Sequence, residues 1–553
     1  MPEVVWGDVP GWLTAIGTLG ALVFAVIAVV NTKKTFDIEH ARDVALADAK
    51  SEQDAYVRRS QAALVSAWWG KSRTEVDGPP GVDSSWGVFL RNSSEAPIYK
   101  AQMTVRHANA EHGPAAAHLS VVPPDPSAGF IPIQVPAHDF DGRGHDQLAE
   151  YRVSLRFTDA GGVRWIRDEY GALKQLDPRL AIWTSPEIAR GLAPFTSEFL
   201  ATYGVTPSFD TSLIESELER HFLEASDDPG AECPDIIVGV HDWIGNLVMH
   251  DAIEPIVLTE GYRVEFQDPR WTLDALSFEG RVYGVPSSLD TVALFRNLDL
   301  APCLPESIEQ LLEVGNSLVA AGVVDDVLSV SVGPSGDPFL VWPLISSAGG
   351  WLFGRRDDGS WDSSVLGVNS PETIAAFEKI RTLGALGILR SNVDGARAME
   401  TFLAGETAFL LATSGAVSLA RARGIRFAVS AVPPFAGCAV PHPFVAVYGF
   451  FIARNGRNRL IAADLAPDYL SRPEVVEQFG KSLHVVPRRV LPAMDPAIAA
   501  LHQLCCEGVP MPSFAEMRDV WSLLGEAELK LIRGEEPGLV ASRLETDIAA
   551  LFA

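Results

Sequence analysis

The sequence predicts an α/β protein in two lobes, carried behind a membrane helix, a helical stalk and a small β-sandwich. Three observations lead there. Residues Trp12 to Val30 (WLTAIGTLGALVFAVIAVV) run for 19 positions without a charge, apolar residues alternate between Trp86 and Trp165, and short apolar strands alternate with helical spacings beyond Leu180. Each signal has its own period, and the period separates strand from helix. At 553 residues the chain is too long for one ordinary core; a prior of about 150 residues per domain suggests three or four compact units.

The 19-residue run is long enough for a helix to cross a hydrocarbon core of about 30 Å. The segment before it (MPEVVWGDVPG) has no Lys or Arg, and the one after it (NTKKTFD) has no small-residue cleavage site. This favours an uncleaved anchor at 12–30 over a signal peptide. The first cysteine is Cys233, so no lipoprotein cysteine is available. Gly17, Ala21 and Ala25 recur every four residues, the spacing of a close-packed helix dimer face as well as of simple filler. Lys33 and Lys34 follow the run while Glu3 and Asp8 precede it, so the positive-inside tendency puts the bulk of the chain in the cytoplasm. Residues 31–65, rich in Ala, Asp, Glu, Lys and Arg, read as a helical stalk.

A β-sandwich follows at 66–180. Trp86, Val88 and Leu90 alternate, Asn92-Ser93-Ser94-Glu95 turns the chain, and Ala101, Met103 and Val105 alternate again. Tyr151, Val153, Leu155 and Phe157 meet Asp159-Ala160-Gly161-Gly162 and resume at Val163 and Trp165. Both are hairpin signals. The Pro-rich, His-containing stretch at 108–147 reads as a long loop, and Trp68 and Trp69 as packing residues rather than a ligand platform.

From 181 to 553 the pattern is α/β. Ala181-Ile182-Trp183-Thr184 and Ile236 to Val240 are apolar strands, and Leu192, Phe195, Phe199 and Tyr203 recur at helical spacing. Ser370-Pro371-Glu372 starts a helix whose Ile374, Phe377 and Ile380 share a face. Trp351-Leu352-Phe353 leads through the turn Asp357-Asp358-Gly359 to Trp361.

Composition narrows the function. A net charge of -27 and a pI near 4.8 exclude nucleic acid, since nothing would neutralise a phosphate backbone. The five cysteines are odd in number and fit no zinc spacing, and the adjacent Cys505 and Cys506 read as ordinary thiols. His241 stands beside a single carboxylate, which makes no metal site. No cofactor or metal is expected. Two stretches place carboxylates beside aromatic rings: PDIIVGVHDWIGN at 234–246 and DPFLVWPLI at 337–345. A sugar has hydroxyls that need acceptors and C–H faces that need flat apolar surface, so that combination suits a carbohydrate.

Those stretches, with Tyr283-Gly284-Val285-Pro286 running through Asp290 to FRNLDL, DPFLVWPLISSAGGWLF, METFLAGETAFLL and Pro512 to Trp521, make residues 181–553 resemble family 1 extracellular solute-binding proteins of the maltose/maltodextrin-binding type. The resemblance implies a two-lobed periplasmic-binding-protein (type II) fold that closes on an oligosaccharide and delivers it to an ABC-type importer. It implies that Asp242 accepts hydrogen bonds from sugar hydroxyls and that Asp290 and Asp337 stand where the family has glutamates in that role. Phe339 stands where a tyrosine stacks on sugar, Trp521 matches a stacking tryptophan, and Glu187 lies near an early aspartate. Gly239 occupies a family tryptophan position, Trp243 an arginine, Gly415 another stacking tryptophan and Gly525 a further arginine. Two platforms are missing, one of them moved to Trp243, a loss expected to change the ligand or to weaken maltodextrin binding strongly.

Each residue also has a plainer role open to it. Asp242 after a strand can cap the next helix, Asp337 before Pro338 can be an N-cap, and Trp342 reads as core. An enzyme is not expected: Asp290 and Asp337 as a glycosidase pair would be its basis, and there is no nucleophile elbow, phosphate loop or HExxH. The sequence therefore points to a membrane-anchored binding protein for a carbohydrate or other small polar ligand, with an importer permease as partner. The alternative is a membrane-tethered sensor or scaffold with a degenerate cleft. The family places the bulk outside the cell membrane and the flanking lysines place it inside.

Overall fold

The computed structural model describes residues 59–72, 86–107, 115–133, 151–203, 205–213, 215–228, 230–256, 271–357, 359–470, 472, 474–475, 485–491 and 494–553. The apolar run at 12–30 and most of the stalk at 31–65 lie outside these residues. Among the described residues no helix is long and apolar enough to cross a membrane. The chain divides into two units, one ending at Gln175 and one running from Leu176 to Ala553.

The first unit is built from β1 (Val65–Lys71), β2 (Trp86–Asn92), β3 (Ile98–His107), β4 (Ala115–Val122), β5 (Asp125–Pro132), β6 (Tyr151–Thr158), β7 (Arg164–Arg167) and β8 (Leu173–Gln175). They form two sheets, β1-β2-β5 and β4-β3-β6-β7-β8. Alternate residues of both sheets, among them Val88, Leu90, Met103, Val105, Val153 and Leu155, share one core with Trp69 and Trp165. The hairpin between β6 and β7 closes on Asp159, whose carboxylate accepts the Val163 N–H at 2.9 Å and the Trp165 indole N–H at 2.7 Å.

Two expectations need correction here. The turn at Asn92–Glu95 does not make a hairpin, because β2 and β3 lie in different sheets. Buried Asn92 donates to the carbonyls of Ala96 at 3.0 Å and Val122 at 3.2 Å, which redirects the chain across the core. Two strands facing each other across a core bury alternate residues as a hairpin does, so the pattern could not separate the two arrangements. Within the stretch read as a long loop, residues 115–133 carry β4 and β5. Pro123, Pro124 and Pro126 masked them; β5 is an edge strand, where proline is tolerated.

The second unit opens with β9 (Arg179–Trp183), after which the Ser185 hydroxyl caps α1 (Pro186–Leu192) by accepting the Ile188 N–H. Its strands continue with β10 (Thr206–Asp210), β11 (Ile236–Val240), β12 (Gly284–Thr291), β13 (Ala293–Asn297), β14 (Ser329–Val330), β15 (Phe409–Ala412), β16 (Phe427–Ser430), β17 (Phe444–Ala453) and β18 (Val486–Pro487). One sheet has the order β10-β9-β11-β17-β12-β18, with Ile253–Glu254 and Val509–Pro510 also paired to β17; a second has the order β14-β15-β13-β16. Only Val292 separates β12 from β13, so the chain passes between sheets at one buried residue. It passes again between β16 and β17. This mixed α/β arrangement fits two lobes.

Helices cover the sheets: α2 (Pro338–Ser347), α3 (Pro371–Ala385), α4 (Gly395–Leu403), α5 (Gly415–Ala422), α6 (Pro496–Glu507), α7 (Met517–Ile532) and α8 (Pro537–Leu551). The α3 start is capped by Ser370 with Pro371 at the first position, and Phe377 and Ile380 are buried. Strand residues feed two cores by parity: Leu294, Leu411, Phe444 and Ala446 belong to one, Phe295, Leu410, Val445 and Val447 to the other. Trp342 lies in the first of these cores, stacked 4.6 Å from Phe444.

Gly525 does not open a cleft. A Cβ there would sit 2.3 Å from the Ser335 carbonyl oxygen, so the missing side chain lets α7 pack backbone to backbone on the turn before α2. Gly525→Ala is expected to lower stability by about 1–3 kcal/mol. Gly415→Ala, whose Cβ meets nothing within 4 Å, is expected to be near neutral. Equal melting temperatures for the two variants would refute this packing role.

Candidate functional site

The residues singled out in the sequence fall into three groups. Asp337 and Phe339, at the start of α2, line a cavity of about 720 Å³ with Ser331, Ser414, Gly415 and Arg190. Asp337 caps its own helix, accepting the Leu340 N–H at 3.2 Å, and its carboxyl also faces Ser331. Capping and cavity lining are compatible because a cap uses one lone pair of the four on a carboxylate. Burial raises the Asp337 pKa above the ordinary aspartate value, and the helix N–H and Ser331 partly offset this.

Behind Asp337 stands Glu528 of α7, a residue the sequence reading missed. Its Oε2 accepts the Asp337 N–H at 3.0 Å, while Oε1 finds no hydrogen-bond partner among the described residues. Burial raises the Glu528 pKa well above that of an ordinary glutamate, and the neighbouring Asp337 charge adds to the effect. A signal was available: Glu528 falls on the same helical spacing as buried Val520, Leu524 and Leu531.

Asp290 is placed at the end of β12, against a second cavity of about 430 Å³ that shares Thr413, Ser414, Gly415 and Val485 with the first. Its carboxylate accepts the N–H of Ser414 at 2.9 Å, the Ser414 hydroxyl at 3.1 Å and the N–H of Thr291 at 2.9 Å. These bonds hold the start of α5 against β12. Burial still dominates and pushes its pKa up to about 6. Ser185, Pro186 and Ile188 of α1 line the same cavity, and Glu187 is the second residue of that helix.

The third group is Asp242, Trp243 and Trp521. The Trp521 indole N–H donates to Asp242 Oδ2 at 2.9 Å, joining α7 to the segment after β11. Trp521 meets Phe444 edge-on, with ring centroids 5.6 Å apart. The Trp243 ring lies where a side chain at 239 would project, since a Cβ on Gly239 would come 2.0 Å from it. Gly239 and Trp243 therefore exchange volume, whereas Gly415 leaves its space open.

His241, next to Asp242, is a structural histidine. Its Nδ1 accepts the Val447 N–H at 3.1 Å, which leaves the proton on Nε2, 3.0 Å from the Met511 carbonyl. Burial pushes its pKa down to about 4. With both ring nitrogens occupied, it is not available to a metal.

Residues 198–498 match the family model described as bacterial extracellular solute-binding protein. The chain is 20% identical over 362 residues to a galactooligosaccharide-binding protein of Bacillus subtilis, spanning 62% of this chain and 82% of that protein. It is 24% identical over 313 residues to a maltotriose-binding protein of Pyrococcus abyssi, spanning 53% and 64% respectively. A maltooligosaccharide ABC transporter solute-binding lipoprotein of Streptococcus pneumoniae is 22% identical over 150 residues, 26% of this chain and 35% of that one.

Asp290 and His241 make opposite contributions to acid stability. The folded pKa of Asp290, about 6, lies above its ordinary 3.8, so its contribution is fully present below that value and lost as pH rises through 6. For His241 the folded value of about 4 lies below the ordinary 6.5, so its contribution is present above 6.5 and lost as pH falls through 4. Asp290→Asn removes the first effect, on the order of 2–3 kcal/mol across its window. Urea unfolding is expected to show a steeper loss of stability from pH 6 to 4 in the variant. Parallel pH profiles would rule the account out.

Proposed function

The chain belongs to the bacterial extracellular solute-binding proteins, and from that premise we propose that it binds a carbohydrate by closure of its two lobes and passes it to an ABC-type importer. The observation that carries this is Asp337 and Phe339 on one cavity wall, a hydrogen-bond acceptor beside a flat apolar ring. The sugar-binding relatives support the ligand class, and the ABC transporter lipoprotein supports the partner. Ligand would favour the closed arrangement by binding it more tightly than the open one.

Binding without turnover fits the carboxylates. Asp290 is engaged by Ser414 and Thr291, and it faces a different cavity from Asp337. In this reading the two carboxylates act separately, not as the pair flanking one bond that a glycosidase uses. In this proposal Asp337 and Phe339 touch ligand, Asp290 positions Ser414, and Asp242, Trp243 and Trp521 form a wall; Glu187 sits on the helix beside the second cavity. The 12–30 segment would anchor the chain, with 31–65 and the β domain as spacer.

Calorimetry of the full chain with maltotriose and a galactooligosaccharide tests the site. Asp337→Ala and Phe339→Ala are each expected to weaken binding tenfold or more, about 1.4 kcal/mol, with the fold kept, and Asp337→Ala also to lower the melting temperature because it removes the α2 cap. Full affinity in both variants would exclude this site. The flanking Lys33 and Lys34 favour the second function, a cytoplasmic sensor or scaffold. A reporter fused to the C-terminus decides, since a cytoplasmic signal is incompatible with import.

A further inference from the structure

Glu528 lines neither of the two cavities described above, and it is 3% exposed. Its one hydrogen bond among the described residues runs from the Asp337 N–H to Oε2, and Oε1 is left without a partner. The surroundings are tightly closed. Gly336, at a φ of 81°, lies against Gly525, and a Cβ on it would collide with the Gly525 backbone. Gly525 and Glu528 are three residues apart and share a face of α7. The turn before α2 is thus pressed onto the helix face that carries Glu528.

An ionised carboxylate at that place would be a buried charge with one backbone donor and no cation, which is costly. The cations on the packed helices are engaged elsewhere: Arg381 of α3 with Glu378, Arg543 of α8 with Glu535, and Lys530 of α7 itself with Glu526. Arg190 of α1 lines the cavity that Asp337 lines and Glu528 does not. Among the described residues the charge that acts on Glu528 is Asp337, and it has the same sign. Two carboxyl groups so placed retain a proton between them. Asp337 faces the cavity and has the Leu340 N–H and Ser331, so it is the better place for the charge.

We propose that Glu528 is the positioning residue for Asp337: it stays un-ionised, so that the pair carries one negative charge, and as a neutral acceptor it holds the Asp337 backbone at the cavity wall. The link to ligand rests on the assignment of Asp337 given above. A neutral Glu528 leaves one buried hydroxyl unpaired, a smaller cost than an uncompensated charge. It also leaves the charge on Asp337, where a ligand hydroxyl can donate to it.

Two measurements on the full chain test this. Above the ordinary glutamate value of 4.5 the unfolded chain releases the Glu528 proton while the folded chain keeps it, so this group's contribution to stability is lost as pH rises. Glu528→Gln cannot ionise, so its melting temperature relative to wild type is expected to rise by a few degrees between about pH 5 and about pH 8. A difference that stays constant overturns the retained proton. In calorimetry with maltotriose at about pH 7, Glu528→Leu, which removes the acceptor, is expected to lose about tenfold or more, and Glu528→Gln, which keeps it, to stay within about threefold of wild type. A loss in Glu528→Gln as large as in Glu528→Leu, or full affinity in Glu528→Leu, overturns the positioning role and leaves the carbohydrate reading intact. Failure of maltotriose to bind the wild type overturns the maltotriose assignment and the positioning role that rests on it, and the melting comparison still decides the retained proton.

Discussion

The central strand β17 is the constraint on which the second unit depends. It pairs with β11 on one side and β12 on the other, and all its residues except Tyr448 are buried. Its backbone also serves the site. Val447 fixes the His241 ring, the Ser287 hydroxyl donates to the Tyr448 carbonyl, and the Thr291 hydroxyl donates to the Phe444 carbonyl. Asp242 and Asp290 are thus each one residue from a side chain anchored to this strand. Their positions follow from its register, which a slip of one residue would invert.

What the sequence made legible was whatever depended on period and capping. Ser370-Pro371 marked α3, the DIIVGV run marked β11, and the Asp159 turn marked a true hairpin. Pairing between distant segments was not legible. Asn92 turns the chain from one sheet into the other, and β4 and β5 were hidden among prolines, because facing strands and hairpin strands bury the same alternate residues.

The candidate site was partly legible for a similar reason. Residue type located Asp337 and Phe339 together, but it could not show that Asp290 spends its acceptors on Ser414 and Thr291, or that Glu528 stands behind Asp337. The three glycines teach the same point. Gly239 gives room to Trp243, Gly525 lets two backbones touch, and only Gly415 leaves open space. A missing side chain has no meaning until its neighbours are known.

The helix α7 carries one further consequence. Because Trp521 and Glu528 are fixed to one rigid rod and each is bonded to a different segment, a rotation or slide of that rod disturbs both attachments at once. Changes at Asp242 and at Asp337 therefore share an energetic cost through α7 even though they touch different surroundings, and their effects need not add. A substitution at one attachment of α7 would then be felt at the other.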